Sequence, residues 1–491
     1  MSCAIIVTLF KNRLEEVDQY TMKTPVFEAL KNLMEENSTH FHMPGHKGKN
    51  SLIEWGKYVP YIDTTETEGM DYLLEPRGII KESQENAAKV FGSKATYYGV
   101  NGSTGSIYIA LATITKPGDK VLIQRNCHKA VYNALILNRL QPVYVYPNYN
   151  ENHNVLTGLY PEDVDQALTE NPEIKAVVMT YPNYYGVCSD VKKIAEIVHS
   201  HNKILMVDEA HGPHMTFSDK LPISALEGGA DIVIHSTHKT LPSLTQTSLI
   251  HVGSDRVDLN KLRDRYQLYT TTSPSYLFTL SNEIATAYMD GEGRDKLDWS
   301  IRKIDQVIER LNRNPRIEVF TGDPEDETIF DKDNTKILIN IDGIRGTVLK
   351  KMLLRDYNIR IEMSDFYYAL ILTSVMNTEE EYETIVKALE DIAEKAPYEE
   401  INWVDVKMPT PKIIMRPSEA YYSKKEQIKL SDSIGRVSAS PIIPYPPGIP
   451  LLVPGEEITQ EIYEHLLFLM DNGMDIVGLM GYNKDYVVVT E

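Results

Sequence analysis

From about residue 82 to 252, short apolar runs alternate with segments patterned on the helical repeat. Lys120–Gln124, Pro142–Tyr146, Lys175–Thr180 and Ile204–Asp208 read as strands, followed by Asp231–His235 and Ser248–Val252. Between them Lys129–Asn138, Pro161–Leu168 and Val191–His199 read as helices. The strand runs are continuously apolar, which predicts a sheet covered on both faces by helices and largely parallel, the α/β class. In such sheets ligands sit at the carboxyl ends of strands. The residues just after each run are therefore the ones to inspect.

Farther on, Asp298–Leu311 has the pattern of a long helix leading out of this region. A smaller α/β region follows, with Lys336–Asn340 as a strand and Gly346–Leu354 and Tyr382–Glu394 as helices. Ala396–Pro411 has the proline and charge of a linker, and Pro441 to Pro454 is proline-rich. The expected partition is an N-terminal arm over 1–60, a large domain over 61–295, a small α/β domain over 296–400 and a C-terminal α+β domain over 401–491. There is no internal repeat and no low-complexity tail.

A chain of 491 residues is too long for one core, in line with several domains. The formal net charge of −20 argues against nucleic acid or an acidic membrane as a partner, since phosphate binding needs a basic surface. It is compatible with a small cationic substrate. The three cysteines, Cys3, Cys127 and Cys188, are too few and scattered for a disulfide framework or a zinc cage, so reduced thiols in a cytoplasmic protein are expected. No apolar run approaches the roughly 18 residues a membrane helix needs. The apolar run Ala4 to Phe10 is followed by its basic residues and no cleavage site, so no signal peptide is expected. Met22 opens a second plausible start, which makes residues 1–21 an extension.

Four clusters at predicted strand ends or helix starts carry candidate chemistry. Asn101-Gly-Ser-Thr-Gly-Ser106 precedes an apolar helical run. Such a helix N-terminus can cradle a phosphate or simply cap the helix. Asn126-Cys-His-Lys129 follows the first run, and His128 can stack on a flat ring or cap the next helix. Val207-Asp-Glu-Ala-His211 ends a buried strand, where Asp208 must find a partner or lose its charge; a pyridinium N–H and a helix cap are both possible. Ser236-Thr-His-Lys239 follows another strand, 31 residues after Asp208, with room for one helix between. Desolvation would turn the Lys239 amine into a nucleophile. Each has a purely structural reading. Together, in this order on one sheet, they supply what pyridoxal phosphate requires: a phosphate anchor, a ring partner, a counter-charge and an amine.

The motifs HMPGHKG (42–48), NGSTGS (101–106), RNCHKA (125–130), VDEAHG (207–212), HSTHKTLPSLTQTS (235–248), TTSPSY (271–276) and PYPPGIPLLVPGE (444–456) make the chain resemble the Orn/Lys/Arg decarboxylases, over about residues 24 to 485. These are pyridoxal-phosphate enzymes of fold type I, the aspartate-aminotransferase-like transferase fold. The resemblance implies Lys239 as the Schiff-base lysine, Asp208 as partner of the pyridine nitrogen and His128 as the imidazole on the ring. Ala210 and His211 go with Asp208 into the cofactor site. Ser103, Thr104, Gly105 and Ser236 are implied as phosphate contacts, with His238 beside them. Lys239 or His238 would return the proton after decarboxylation. Thr272 and Ser273 match residues that reach a neighbouring subunit's cofactor, which implies a homodimer or dimer of dimers with shared sites. Glu456 lies in the motif that borders the substrate entrance.

Larger members carry an N-terminal wing, which the position of HMPGHKG leaves no room for. This wingless layout leans, by resemblance, toward L-arginine decarboxylation to agmatine in polyamine biosynthesis, ahead of lysine and then ornithine. Asp71, Glu75 and Glu456 are candidate carboxylates for the substrate's side chain. His42 and His46 have the spacing of a metal pair, but a structural loop and no metal are expected. The alternatives are a fold-type-I aminotransferase, whose carboxylate-binding arginine would be sought among Arg360, Arg416 and Arg436, and an inactive paralogue, which would lack Lys239 or Asp208.

Overall fold

A computed structural model describes residues 25–49, 52, 55–398, 400, 409–445 and 449–491. Cys3, the Ala4–Phe10 run, Met22, most of the predicted linker and residues 446–448 of the proline-rich motif lie outside the described residues. The chain forms two compact units, Met1–Thr39 and His40–Glu491. In the first, Pro25–Glu35 is helical. Everything below concerns the second.

Its centre is a seven-stranded sheet. In chain order the strands are β1 (Ala95–Gly99), β2 (Lys120–Gln124), β3 (Gln141–Val145), β4 (Ala176–Thr180), β5 (Ile204–Asp208), β6 (Ile232–His235) and β7 (Ser248–Val252). Their spatial order is β1-β7-β6-β5-β4-β2-β3. All neighbours pair parallel except β7, which is antiparallel to both β6 and β1. The exception has a simple cause. Twelve residues separate His235 from Ser248, too few to cross back over the sheet with a full helix, so the chain turns and returns.

The continuously apolar strands are buried as their pattern predicts: Leu205, Met206, Val207, Ile232, Val233 and Ile234 have no exposed surface. Each such side chain contributes about 1.5–3 kcal/mol of transfer free energy. The helix predicted after Asn101 is α1 (Gly102–Ile114), and α2 (Lys129–Leu137) starts where His128 caps it. Between β5 and β6, where one helix had room, the described chain makes only a 3-10 turn, Met215–Phe217. After β6 comes the single turn α3 (Thr237–Thr240). The strand β1 and the helices Ile79–Phe91, Leu259–Tyr269 and Tyr276–Asp290 had no clear signature in the apolar pattern.

The exit helix α4 runs Glu292–Leu311, six residues longer than its apolar pattern. Glu292 and Asp295 in its first turn complement the helix dipole, while Leu297, Ile301, Ile304, Val307 and Leu311 form its buried stripe. The small sheet has the order β8-β9-β11-β10, from β8 (Ile317–Phe320), β9 (Lys336–Ile341), β10 (Met363–Ser364) and β11 (Ala369–Leu372), all antiparallel. The helix α5 (Glu379–Lys395) packs in the same core, opened by a capping box between Thr378 and Glu381. A last core gathers around Ile462 and Leu466 of α6 (Gln460–Asp471) and the hairpin-like pair Lys425–Lys429 and Tyr486–Thr490.

Candidate active site

The parallel register aligns the strand ends. Asp208, the last residue of β5, lies level with Thr180 at the end of β4 and Ile234 near the end of β6. Ser236 follows β6, and the turn α3 carries Lys239 back over the same edge. His128 caps α2 just beyond β2, its Nδ1 accepting from Ala130 N at 3.2 Å. Asn126, His128, Thr180, Asp208, Ala210, His211 and Lys239 line one cavity of about 160 Å³.

The charges in this cavity are set by burial. Lys239 Nζ lies 2.9 Å from His211 Nε2. Desolvation pulls the Lys239 pKa below the usual amine value, against the attraction of Asp208 and Glu362. Burial raises the Asp208 carboxyl, opposed by Lys239 and by the Ala210 N–H, which donates to Oδ1 at 3.2 Å. His211 is pushed well down by burial and then by Lys239, Lys336, His128 and His238, so its imidazole is neutral. Burial, with Lys239 next, takes His128 to about 3. The site thus holds a weakened amine, a buried carboxylate and neutral rings.

The start of α1 meets the turn after β6. Ser103, Thr104 and Gly105 sit in the first turn of α1, and Ser236 Oγ lies 2.8 Å from Ser103 Oγ. The packing beneath this turn is tight: a Cβ at Gly99 would fall 2.1 Å from Ser248 Oγ on the neighbouring strand, and one at Gly105 would fall 2.9 Å from Cβ of the cap residue Asn101. His238 does not line the cavity. Its Nδ1–H donates to Thr247 O at 2.9 Å, and burial lowers its pKa to about 4.

The HMPGHKG segment is a wedge between α3 and the small sheet. Gly45 N donates to His238 O at 2.7 Å, and Ser374 Oγ donates to Gly45 O at 2.6 Å. A Cβ at Gly45 would meet Leu241 O at 2.4 Å, so this position requires glycine. Lys47 Nζ ties the segment to β11 through Leu372 O at 2.9 Å. His42 and His46 are part of this wedge, and no metal-binding cluster occurs among the described residues.

Other expected residues lie elsewhere. Glu456 is not at the cavity: it is 1 % exposed and pairs with Arg125, itself 1 % exposed, at 3.1 Å. Arg125 also donates to Pro450 O and Leu451 O, so the pair ties the C-terminal segment to the end of β2. Asp71 accepts from the backbone of Tyr72, Arg77 and Gly78, and Glu75 pairs with Arg77. Thr272 and Ser273 are exposed on a loop after Leu259–Tyr269. Arg416 pairs with Glu419 and Arg436 with Glu426, both away from the cavity.

Several cavity residues had no sequence signal. Tyr184 and Tyr185 follow β4, and the Tyr184 ring lies 4.6 Å from that of His211. Asp365 sits in the turn between β10 and β11, and His465 and Leu469 come from α6. Lys336 of β9, wholly buried, donates to His211 O at 3.3 Å and lies 3.7 Å from Asp333. Their sequence neighbourhoods resemble ordinary turn, helix and strand positions.

The donor set fits pyridoxal phosphate. Two buried polar atoms in the cavity wall, His211 Nδ1 and Thr180 Oγ1, have no protein partner. Lys239 supplies an amine, Asp208 a carboxylate, and the first turn of α1 with Ser236 an anion cradle.

Comparison with known proteins agrees. The family described as "Orn/Lys/Arg decarboxylase, major domain" matches residues 24–338, and "Orn/Lys/Arg decarboxylase, C-terminal domain" matches 404–480. The chain is 32 % identical to an arginine decarboxylase of Bacillus subtilis (strain 168), over 93 % of this chain and 95 % of that protein. It is 34 % identical to an arginine decarboxylase of Halalkalibacterium halodurans, over 94 % and 96 %. Among solved structures it superposes on lysine decarboxylase A from Pseudomonas aeruginosa with a TM-score of 0.75 at 21 % identity, covering 88 % of this chain and 74 % of that one. The chain belongs to the Orn/Lys/Arg decarboxylase family, with the fold-type-I architecture, and is a pyridoxal-phosphate-dependent carboxy-lyase.

Proposed function

We propose that this member of the family converts L-arginine to agmatine and carbon dioxide, with lysine and then ornithine as the next substrates to test. The observation that carries the reaction class is the meeting of Lys239, Asp208, His128 and His211 in one cavity at the strand ends. The preference for arginine is supported by full-length relatives named arginine decarboxylase at 32 and 34 % identity.

When bound, pyridoxal phosphate supplies an electrophilic carbon for amines and a ring that accepts the electron pair left by the departing carboxylate. The chain's residues do the rest. Ser103, Thr104, Gly105 and Ser236 hold the phosphate. Asp208 holds a proton at the ring nitrogen, and the same burial that raises its own pKa keeps its charge unscreened. Ala210 fixes the Asp208 carboxylate, and His128 covers the ring. Lys239, its pKa lowered, presents a neutral amine that can take a proton from the incoming substrate's α-ammonium and, as the ammonium, return it to the substrate carbon, with His211 Nε2 beside it at 2.9 Å as proton partner. His238 supports this turn from outside the cavity. No arginine is among the described residues lining the cavity, which favours losing that carboxylate over clamping it as an aminotransferase would.

The reading extends to a homodimer or dimer of dimers in the cytoplasm, serving polyamine synthesis. Thr272 and Ser273 are exposed within one subunit, as residues serving a partner's site would be. No described helix is long and apolar enough to cross a membrane. The test is an assay with arginine, lysine and ornithine, identifying the amine products. Agmatine as the main product is expected; amine from none of the three overturns the reading. Mixing Lys239→Ala chains with Thr272→Ala/Ser273→Ala chains tests the shared site: hybrid dimers should regain activity that neither variant has alone.

A further inference from the structure

We infer that Asp365 is the residue that reads the distal positive charge of the substrate. The inference rests on the basic-amino-acid reading above and names the group that makes the site selective for it.

Two carboxylates line the cavity among the described residues, Asp208 and Asp365. Asp208 stands at the strand-end side with Lys239 and is committed to the cofactor. Asp365 enters from the small domain, in the turn between β10 and β11. The wall around it is largely apolar, with Leu156, Ile449, Leu469 and Met474. A guanidinium or ammonium entering that space loses its water and needs a carboxylate in exchange.

Asp365 is held ready for this. Its Oδ1 accepts from Tyr367 N at 2.8 Å and Tyr368 N at 2.6 Å, and its Oδ2 accepts from Tyr185 OH at 2.7 Å. Those three donors fix its orientation and are all neutral. The two N–H bonds would by themselves describe a structural turn. The third does not: Tyr185 comes from a distant part of the chain, after β4, and lines the cavity as well. Two other carboxylates buried in this molecule each have a cation close by: Glu456 has Arg125 at 3.1 Å and Asp333 has Lys336 at 3.7 Å. Asp365 has no lysine, arginine or histidine partner among the described residues. Burial accordingly raises its pKa, with the Tyr368, Tyr185 and Tyr367 bonds working against that rise. A cationic substrate supplies the missing counter-charge.

The test compares arginine with citrulline, its uncharged near-isostere, in the holoenzyme. Asp365→Asn keeps the shape and can keep the three bonds. It should lower kcat/KM for arginine by about 10- to 100-fold. Citrulline turnover should change far less, so the arginine-to-citrulline ratio collapses. Calorimetric binding of agmatine should weaken by a similar factor. A merely structural role would depress both substrates together, and an unchanged ratio overturns the inference. If Asp365→Asn does not fold, Tyr185→Phe, which frees Oδ2, should also lower the ratio, and an unaltered ratio in that folded variant overturns it equally. The two readings separate cleanly. Wild-type enzyme that forms no amine from any basic amino acid fails the proposed function and the inference with it. Amine formation with the ratio intact in Asp365→Asn fails the inference alone.

Discussion

The two ends of the cavity are built differently. At the near end Asp208, Lys239, His128 and Ser236 stand on strand ends and helix starts of a single sheet, each within a few residues of a buried strand. At the far end Asp365, Tyr185, His465 and Leu469 come from three separate parts of the chain: a small-domain turn, the loop after β4 and the helix α6. The near end is rigid because its supports are fully buried strands. The far end is an assembly in which Tyr185 and the Asp365 turn share one core while α6 belongs to another. The lesson is a division of labour, in which the common chemistry rides on the sheet and substrate choice rides on the packing between domains.

This contrast can be broken in four ways, from the largest expected effect down. Lys239→Ala should abolish the cofactor's visible absorbance and lower turnover by at least about 10³-fold; spectroscopy of the purified variant checks it, and retained activity would remove the near end as the reaction centre. Glu456→Ala leaves Arg125 buried and unpaired, and should cost about 3–5 kcal/mol in a denaturant midpoint. KM for the amino acid should stay within a few-fold; a large rise in KM would return Glu456 to the far end. Asp208→Asn should lower kcat by roughly 10²- to 10³-fold with KM little changed, since it acts where charge develops rather than on the bound substrate.

The fourth concerns Lys336, which joins the two ends through His211 O. Burial takes its pKa down to about 8 from an ordinary 10.5, against the attraction of Asp333. Between those values the unfolded chain binds more protons at this site than the folded one. Stability of the wild type relative to Lys336→Met should therefore rise with pH across that window, by about 1–3 kcal/mol. Denaturation of both proteins at stepped pH checks it; a flat difference would mean the ammonium is not desolvated.

Much of the near end was legible in the sequence because its signals are local. A continuous apolar run predicts a buried strand, and Asp208 and Lys239 follow such runs directly. β2, β5 and β7 begin and end where their apolar runs do. β1 was less legible: Ala95–Gly99 is half polar because one face is only partly covered. The short turn between β5 and β6 was misjudged for a related reason. The 23 residues from 209 to 231 leave room for a helix, but the segment is anchored residue by residue, through Glu209, His214 and Phe217, and has no amphipathic stripe to declare it. Glu456 misled in the opposite sense. A charged residue in a distinctive motif suggested substrate contact, whereas the fold uses it to neutralise a buried Arg125.

By itself, then, the sequence determined the strand runs, the parallel sheet they form and the chemistry at their ends, because those depend on residues adjacent in the chain. Only the tertiary structure decided which carboxylate faces the substrate. Asp365 lies more than 120 residues from Lys239, and nothing in its turn distinguishes it from Asp71 or Glu75. Its role arises when β10, Tyr185 and α6 close around one dry space that leaves a carboxylate with no cation to match it.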